Sequence, residues 1–92
     1  MARIVVTLKI MPESPETDFD SIETETKKLI ERFIGETETK TEFEEIAFGL
    51  KAMKFTFIMD ESKGSTDALE DQIRNVDGVN SVEVIDVRRT IG

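Results

Sequence analysis

An α+β fold of order βαββαβ, with a four-stranded antiparallel sheet carrying two helices on one face, is predicted by three observations. Four stretches read as strands and two as amphipathic helices in that order, with no linker or low-complexity tract between them. The cleanest apolar alternations fall in the first and third strands, which right-handed crossovers would place in the sheet centre. The second strand is crowded with charge, as suits a sheet edge, where charge discourages pairing with a second molecule.

Taken in order, Arg3 to Met11 reads as a strand with Ile4, Val6, Leu8 and Ile10 on one face, closed by Pro12 because proline cannot donate to a ladder. A loop from Glu13 to Thr17 leads to a helix whose N-cap is Thr17 or Asp18, with Asp20 and Glu23 in or near a first turn that favours carboxylates. From Phe19 to Phe33, the residues Phe19, Ile22, Leu29, Ile30 and Phe33 share one helical side, Thr26 bridges the gap, and Gly35 supplies the stop. Glu36 to Ile46 alternates Thr39, Thr41 and Phe43 with Glu38, Lys40, Glu42 and Glu44. The central strand runs from Leu50 to Met59, with Met53, Phe55, Phe57 and Met59 on its core face. After a polar break from Asp60 to Gly64, Ser65 or Thr66 caps a helix carrying Ala68, Leu69, Ile73 and Val76, and Gly78 ends it. Val79 to Val87, rich in β-branched residues, is the last strand. This is a ferredoxin-like sandwich, and a single domain over residues 1–92 is expected.

Composition narrows the function. The 92 residues hold 38% hydrophobic and 35% charged residues, as expected of a globular, soluble chain. Cysteine and histidine are both absent, which removes thiolate metal sites, cysteine nucleophiles and imidazole acid–base chemistry and argues against an enzyme. A net charge of −8 argues against binding a phosphate backbone and favours a partner with a basic contact face. No apolar run approaches the roughly 20 residues that cross a bilayer, and there is no signal-peptide pattern, so a cytoplasmic location is expected.

Few residues invite a chemical role. Asp18, Asp20 and Glu23 lack the glycine of a calcium loop and read as helix-start carboxylates. Lys63, Gly64, Ser65 and Thr66 could form a small anion nest, but the neighbouring Asp60, Glu61 and Asp67 favour a plain helix cap. Glu42, Glu44 and Glu45 read equally as an acidic patch for a partner or as a solvated edge. Arg88 and Arg89 form a basic pair that either is a solvated terminus or offers charge to a partner. Phe48 sits in a turn-like stretch beside Gly49, where it either folds back over the core or projects as a contact group.

At this point the residues carry a resemblance. The run Ile46, Ala47, Phe48, Gly49, Leu50, Lys51, then Met59 to Gly64, then Asp67, Ala68, Leu69, Glu70, Asp71, Gln72, Ile73, resembles the exchange domain of the translation elongation factor 1-beta family, which shows Gly-Phe-Gly-Ile-Lys, an alternating strand, an acidic turn with a lysine, and a helix ending near Glu-Gln-Ile. The opening Ile10 to Ser14 and the close Val84 to Arg89 resemble its short archaeal form, and the similarity covers essentially the whole chain. The resemblance implies a guanine nucleotide exchange factor for elongation factor 1-alpha, the GTPase that delivers aminoacyl-tRNA. Members of the family dock on the GTPase, disturb its switch and phosphate-binding regions, displace magnesium and loosen GDP. The family's loop phenylalanine enters a pocket on the GTPase, a role that falls on Phe48, flanked by Gly49 and by Ala47, where eukaryotic relatives have glycine. Eukaryotic relatives also place a lysine beside their last residue, whereas this chain reads Thr90, Ile91, Gly92, leaving Arg88 and Arg89 as the nearby cations. The eukaryotic N-terminal interaction domain has no counterpart here, so a free-standing factor is implied, expected to be monomeric and without a cofactor. The alternative of a different class is a regulatory or scaffolding module of the same architecture that self-associates or binds a small metabolite.

Overall fold

In the computed structural model, which describes residues 3–35 and 37–90, the chain runs β1 (Arg3–Pro12), α1 (Phe19–Ile34), β2 (Thr39–Ala47), β3 (Leu50–Asp60), α2 (Asp67–Arg74) and β4 (Val79–Thr90), with a short 3-10 turn at Glu61–Lys63. All strand pairs are antiparallel, in the order β2-β3-β1-β4. The two apolar alternations therefore take the centre, and the charged β2 takes an edge, as the crossover argument requires. β2 begins at Thr39, later than expected, since Thr37 and Glu38 are not in the strand; Glu36 itself lies outside the described residues, as do Ile91 and Gly92.

Register explains the core. Val6, Leu8 and Ile10 of β1 lie opposite Phe57, Phe55 and Met53 of β3, and directly opposed residues share a face. All six are buried, together with Ile22 and Ile30 of α1 and Leu69 and Ile73 of α2. Burying a side chain such as Phe55 or Phe57 stabilises the fold by about 1.5–3 kcal/mol. Thr26 fills the expected gap on the inner side of α1, and its hydroxyl is a buried oxygen with no hydrogen-bond partner.

The caps are specific. Asp18 caps α1, its Oδ1 accepting from the backbone N–H groups of Asp20 and Ser21 at 3.0 and 3.4 Å. Gly35, at φ 87°, donates its N–H to the Glu31 carbonyl and ends the helix. At α2 the work is divided: Thr66 holds the cap position but donates its hydroxyl to Glu70, while Ser65 Oγ accepts from Asp67 N–H. This helix is shorter than the sequence periodicity suggests. It stops at Arg74, Val76 packs from the following turn, and Ala68 is exposed.

β4 is longer than expected, continuing past Val87 to Thr90 because Arg88, Arg89 and Thr90 all find register partners on β1. A bulge at Ile85 breaks its register, since Thr7 lies opposite Asp86 and Leu8 opposite Val84. No helix among the described residues is long and apolar enough to cross a membrane. The molecule measures 43 × 22 × 19 Å, an elongation that matters for the site.

Candidate functional site

The β2–β3 hairpin closes on the pair Ala47 and Leu50, so Phe48 and Gly49 alone form its loop. Both have positive φ, 53° for Phe48 and 79° for Gly49, the signature of a type I′ turn whose twist matches that of the flanking strands. Gly49 adopts this backbone freely. A Cβ built on it would meet nothing within 4 Å, so what the position demands is conformational freedom, not space. Phe48 has no such freedom. A left-handed conformation costs an L-residue roughly 1–2 kcal/mol, and Phe48 is the non-glycine with positive φ among the described residues.

The ring gains nothing from its own chain in return, because Phe48 is 97% exposed. Of the two readings the sequence left open, projection is therefore the one observed. The register of β1 with β3 ends at Ile10 and Met53, so Leu50 to Ala52 and the turn reach beyond the central pair toward one end of the long axis. Ile46 has no partner on β3, a bulge just before the tip.

Arg88 and Arg89 lie at the other end. They pair in register with Val5 and Ile4, and Ile4 faces Met59 across the sheet. The strand between Leu50 and Met59 separates the two ends by roughly 30 Å at the usual rise per residue. Neither arginine is an unengaged cation. Arg88 Nε donates to Asp86 Oδ2 at 2.9 Å, and Arg89 Nη2 donates to Glu61 Oε2 at 2.8 Å, tying β4 to the 3-10 turn. The structure thus gathers Ala47, Phe48 and Gly49 at one tip and does not bring the arginines to them.

The remaining candidates are accounted for locally. Asp18 is occupied as a cap, and in the Lys63–Thr66 stretch Gly64 N–H goes to the Glu61 carbonyl while Ser65 and Thr66 bond within α2. Asp60 accepts from Ser62 N–H, which together with the Ser62 side chain holds its carboxyl below the usual range. Glu44 is more than a solvated edge residue. Its carboxylate lies 2.7 Å from Lys54 Nζ and 3.9 Å from Lys9 Nζ on the sheet face away from the helices. The hydrogen bond and charge of Lys54 lower the pKa of Glu44, and those of Glu44 raise the pKa of Lys54.

Besides Phe48, four large apolar residues are exposed without the sequence reading having marked them so: Phe43, Ile46, Ile85 and Val87. Phe43 lies opposite buried Met53 yet is 53% exposed, and Ile46 is 41% exposed. Strand alternation sets Phe43 on the same side of β2 as Thr39 and Thr41, and it gives no signal of how little of that edge strand α1 covers.

Residues 5–90 match the model of the EF-1 guanine nucleotide exchange domain. The chain is 39% identical over 90 residues to the elongation factor 1-beta of Methanothermobacter thermautotrophicus, covering 97% of this chain and 98% of that protein. It is 38% identical to the elongation factor 1-beta of Halobacterium salinarum, covering 97% and 99%, and 37% identical to that of Staphylothermus marinus, covering 97% and 98%. Among solved structures it is similar to the de novo designed protein Foldit4, with a TM-score of 0.63 at 18% identity over 98% of each chain. It is also similar to the ACT domain from GTP pyrophosphokinase of Chlorobium tepidum, with a TM-score of 0.54 at 19% identity over 90% of this chain and 99% of that one. These two structural likenesses speak to the fold alone.

Proposed function

Because the chain belongs to the EF-1 guanine nucleotide exchange domain family and is a nucleotide exchange factor of translation elongation, we propose that it promotes GDP release from elongation factor 1-alpha by inserting Phe48 into that GTPase. The observation that carries this reading is the pairing of strain with exposure. Phe48 holds an unfavourable backbone and leaves its ring in water, two costs that the fold itself does not recover. A partner recovers them. Burying the ring would remove roughly 150–200 Å² from water, about 4 kcal/mol before ordering costs. Those ordering costs are small because a two-residue turn presets the tip.

Exchange needs no covalent step. The factor has only to bind the nucleotide-poor GTPase more tightly than the GDP-bound one, and its effect is limited to that difference. Gly49 and Ala47 shape the tip, while Arg88 and Arg89 supply a second contact at the far end. Exposed ion pairs like theirs are worth about 0–1 kcal/mol each, so exchanging Asp86 or Glu61 for a group on the GTPase costs little. The footprint on the GTPase then spans the long axis, with the chain acting as one domain and as a monomer.

The test is the release of labelled GDP from purified elongation factor 1-alpha. The chain is expected to accelerate release, and Phe48→Ala is expected to cut the acceleration about tenfold or more while the protein stays folded. Equal acceleration by the variant would overturn the role of Phe48, and no acceleration by the unaltered chain would overturn the choice of partner.

A further inference from the structure

We infer that the partner contact extends back from Phe48 along the edge strand to Ile46 and Phe43, so that the GTPase grips an apolar strip along the hairpin and not a single ring; this rests on the reading of Phe48 given above. Of the five large apolar side chains exposed among the described residues, Phe43, Ile46 and Phe48 fall within six consecutive positions of one hairpin, while Ile85 and Val87 lie on β4. The three hairpin residues together expose on the order of 350 Å², the size of patch that on small proteins is often functional.

Each is held open by a specific device. The face of Phe43 is the helix side, where its ring meets that of Phe19 at the start of α1, with centroids 5.2 Å apart and planes at 73°. This edge contact orients the ring and leaves half of it in solvent, so that little rotamer freedom remains to be lost on docking. Ile46 lies in the bulge, and a bulge re-aims a side chain at the expense of ladder pairing. Phe48 is lifted by the turn.

The occupant is the GTPase and not a second copy. Pairing β2 with its own copy would set Glu42, Glu44 and Glu45 among carboxylates of the same sign. The strip is also well short of the roughly 800 Å² per partner that a stable interface needs. It suits an accessory anchor within a larger footprint. The matching surface on the partner is a shallow apolar groove bordered by basic groups that meet Glu42 and Glu45.

Hydroxyl-radical labelling of the unaltered chain, free and bound to elongation factor 1-alpha, reads the contact directly. Phe43 and Phe48 are both expected to be protected in the complex. In the GDP-release assay, Phe43→Ala is expected to raise the half-maximal concentration about tenfold, with far-UV circular dichroism unchanged. Protection of Phe48 with Phe43 labelled as freely as in the isolated chain would overturn the strip and leave the tip contact standing. Labelling of both rings undiminished in an active complex would overturn the strip together with the reading of Phe48. Should Phe43→Ala fail to fold, the labelling of the unaltered chain decides alone.

Discussion

Phe48 departs from what a two-residue hairpin loop ordinarily asks for, since both of its positions have positive φ and the first is favoured by asparagine or glycine. Phe48→Asn should therefore stabilise the isolated protein by about 0.5–1 kcal/mol, seen as a higher denaturation midpoint at unchanged slope. The same substitution should lose GDP-release activity as Phe48→Ala does. A midpoint at or below that of the unaltered chain would show that the turn carries no strain. The position of Phe48 in a turn was legible beforehand from the neighbouring glycine and the onset of the β3 alternation. Its backbone conformation was not, because phenylalanine gives no local signal for positive φ and only the tight closure of Ala47 on Leu50 imposes it. That β4 continues through the arginines was not legible for a related reason: two consecutive charges near the end of a strand give no local signal for pairing, and the partners that keep them in β4 lie on β1, some eighty positions away.

Elements meet at two junctions that carry tests. Gly78, between α2 and β4, has φ 93°, and a Cβ there would lie 2.9 Å from Thr17 Cγ2 and 3.6 Å from Ile22 Cδ1. Gly78→Ala thus combines backbone strain with a clash against the start of α1, and should cost about 2 kcal/mol or more in a denaturant melt. Gly35→Ala, with positive φ but open space around it, is the control and should cost less. The second junction is Glu44 with Lys54, between β2 and β3. The folded-state pKa of Glu44 is lowered, so its contribution is present in full above the ordinary carboxylate range and disappears as pH falls through the depressed value. Lys54 is raised, so its contribution is full below the ordinary lysine value and disappears as pH rises through the raised one. Glu44→Gln should accordingly lower Tm at neutral pH and converge with the unaltered chain in strong acid. A Tm difference that stays constant into acid would show that the pair adds no stability. The strands, their order and the edge position of β2 could be read from alternation and charge, but the partner of Glu44 could not, since register depends on the length of the hairpin loop.

At the scale of the molecule, the predicted architecture holds because local pattern and topology agree: the strands with the cleanest apolar faces are the two with neighbours on both sides. What the sequence could not convey is where the ends of that sheet lie. Only the register shows the tip of the β2–β3 hairpin and the arginines of β4 at opposite poles of a body 43 Å long. The order β2-β3-β1-β4 also sets a timetable for folding. The β2–β3 hairpin needs only neighbours in sequence and can close within about 1–10 μs. The pairing of β1 with β4 joins the two far ends of the chain, down to the hydroxyl of Thr90 on the carbonyl of Arg3, a separation of 87 residues. Loop-closure entropy makes such pairing the slow event. β4, whose one neighbour in the sheet is β1, is therefore expected to find its place last, once β1 has joined β3 and after the tip that bears Phe48 has already taken shape.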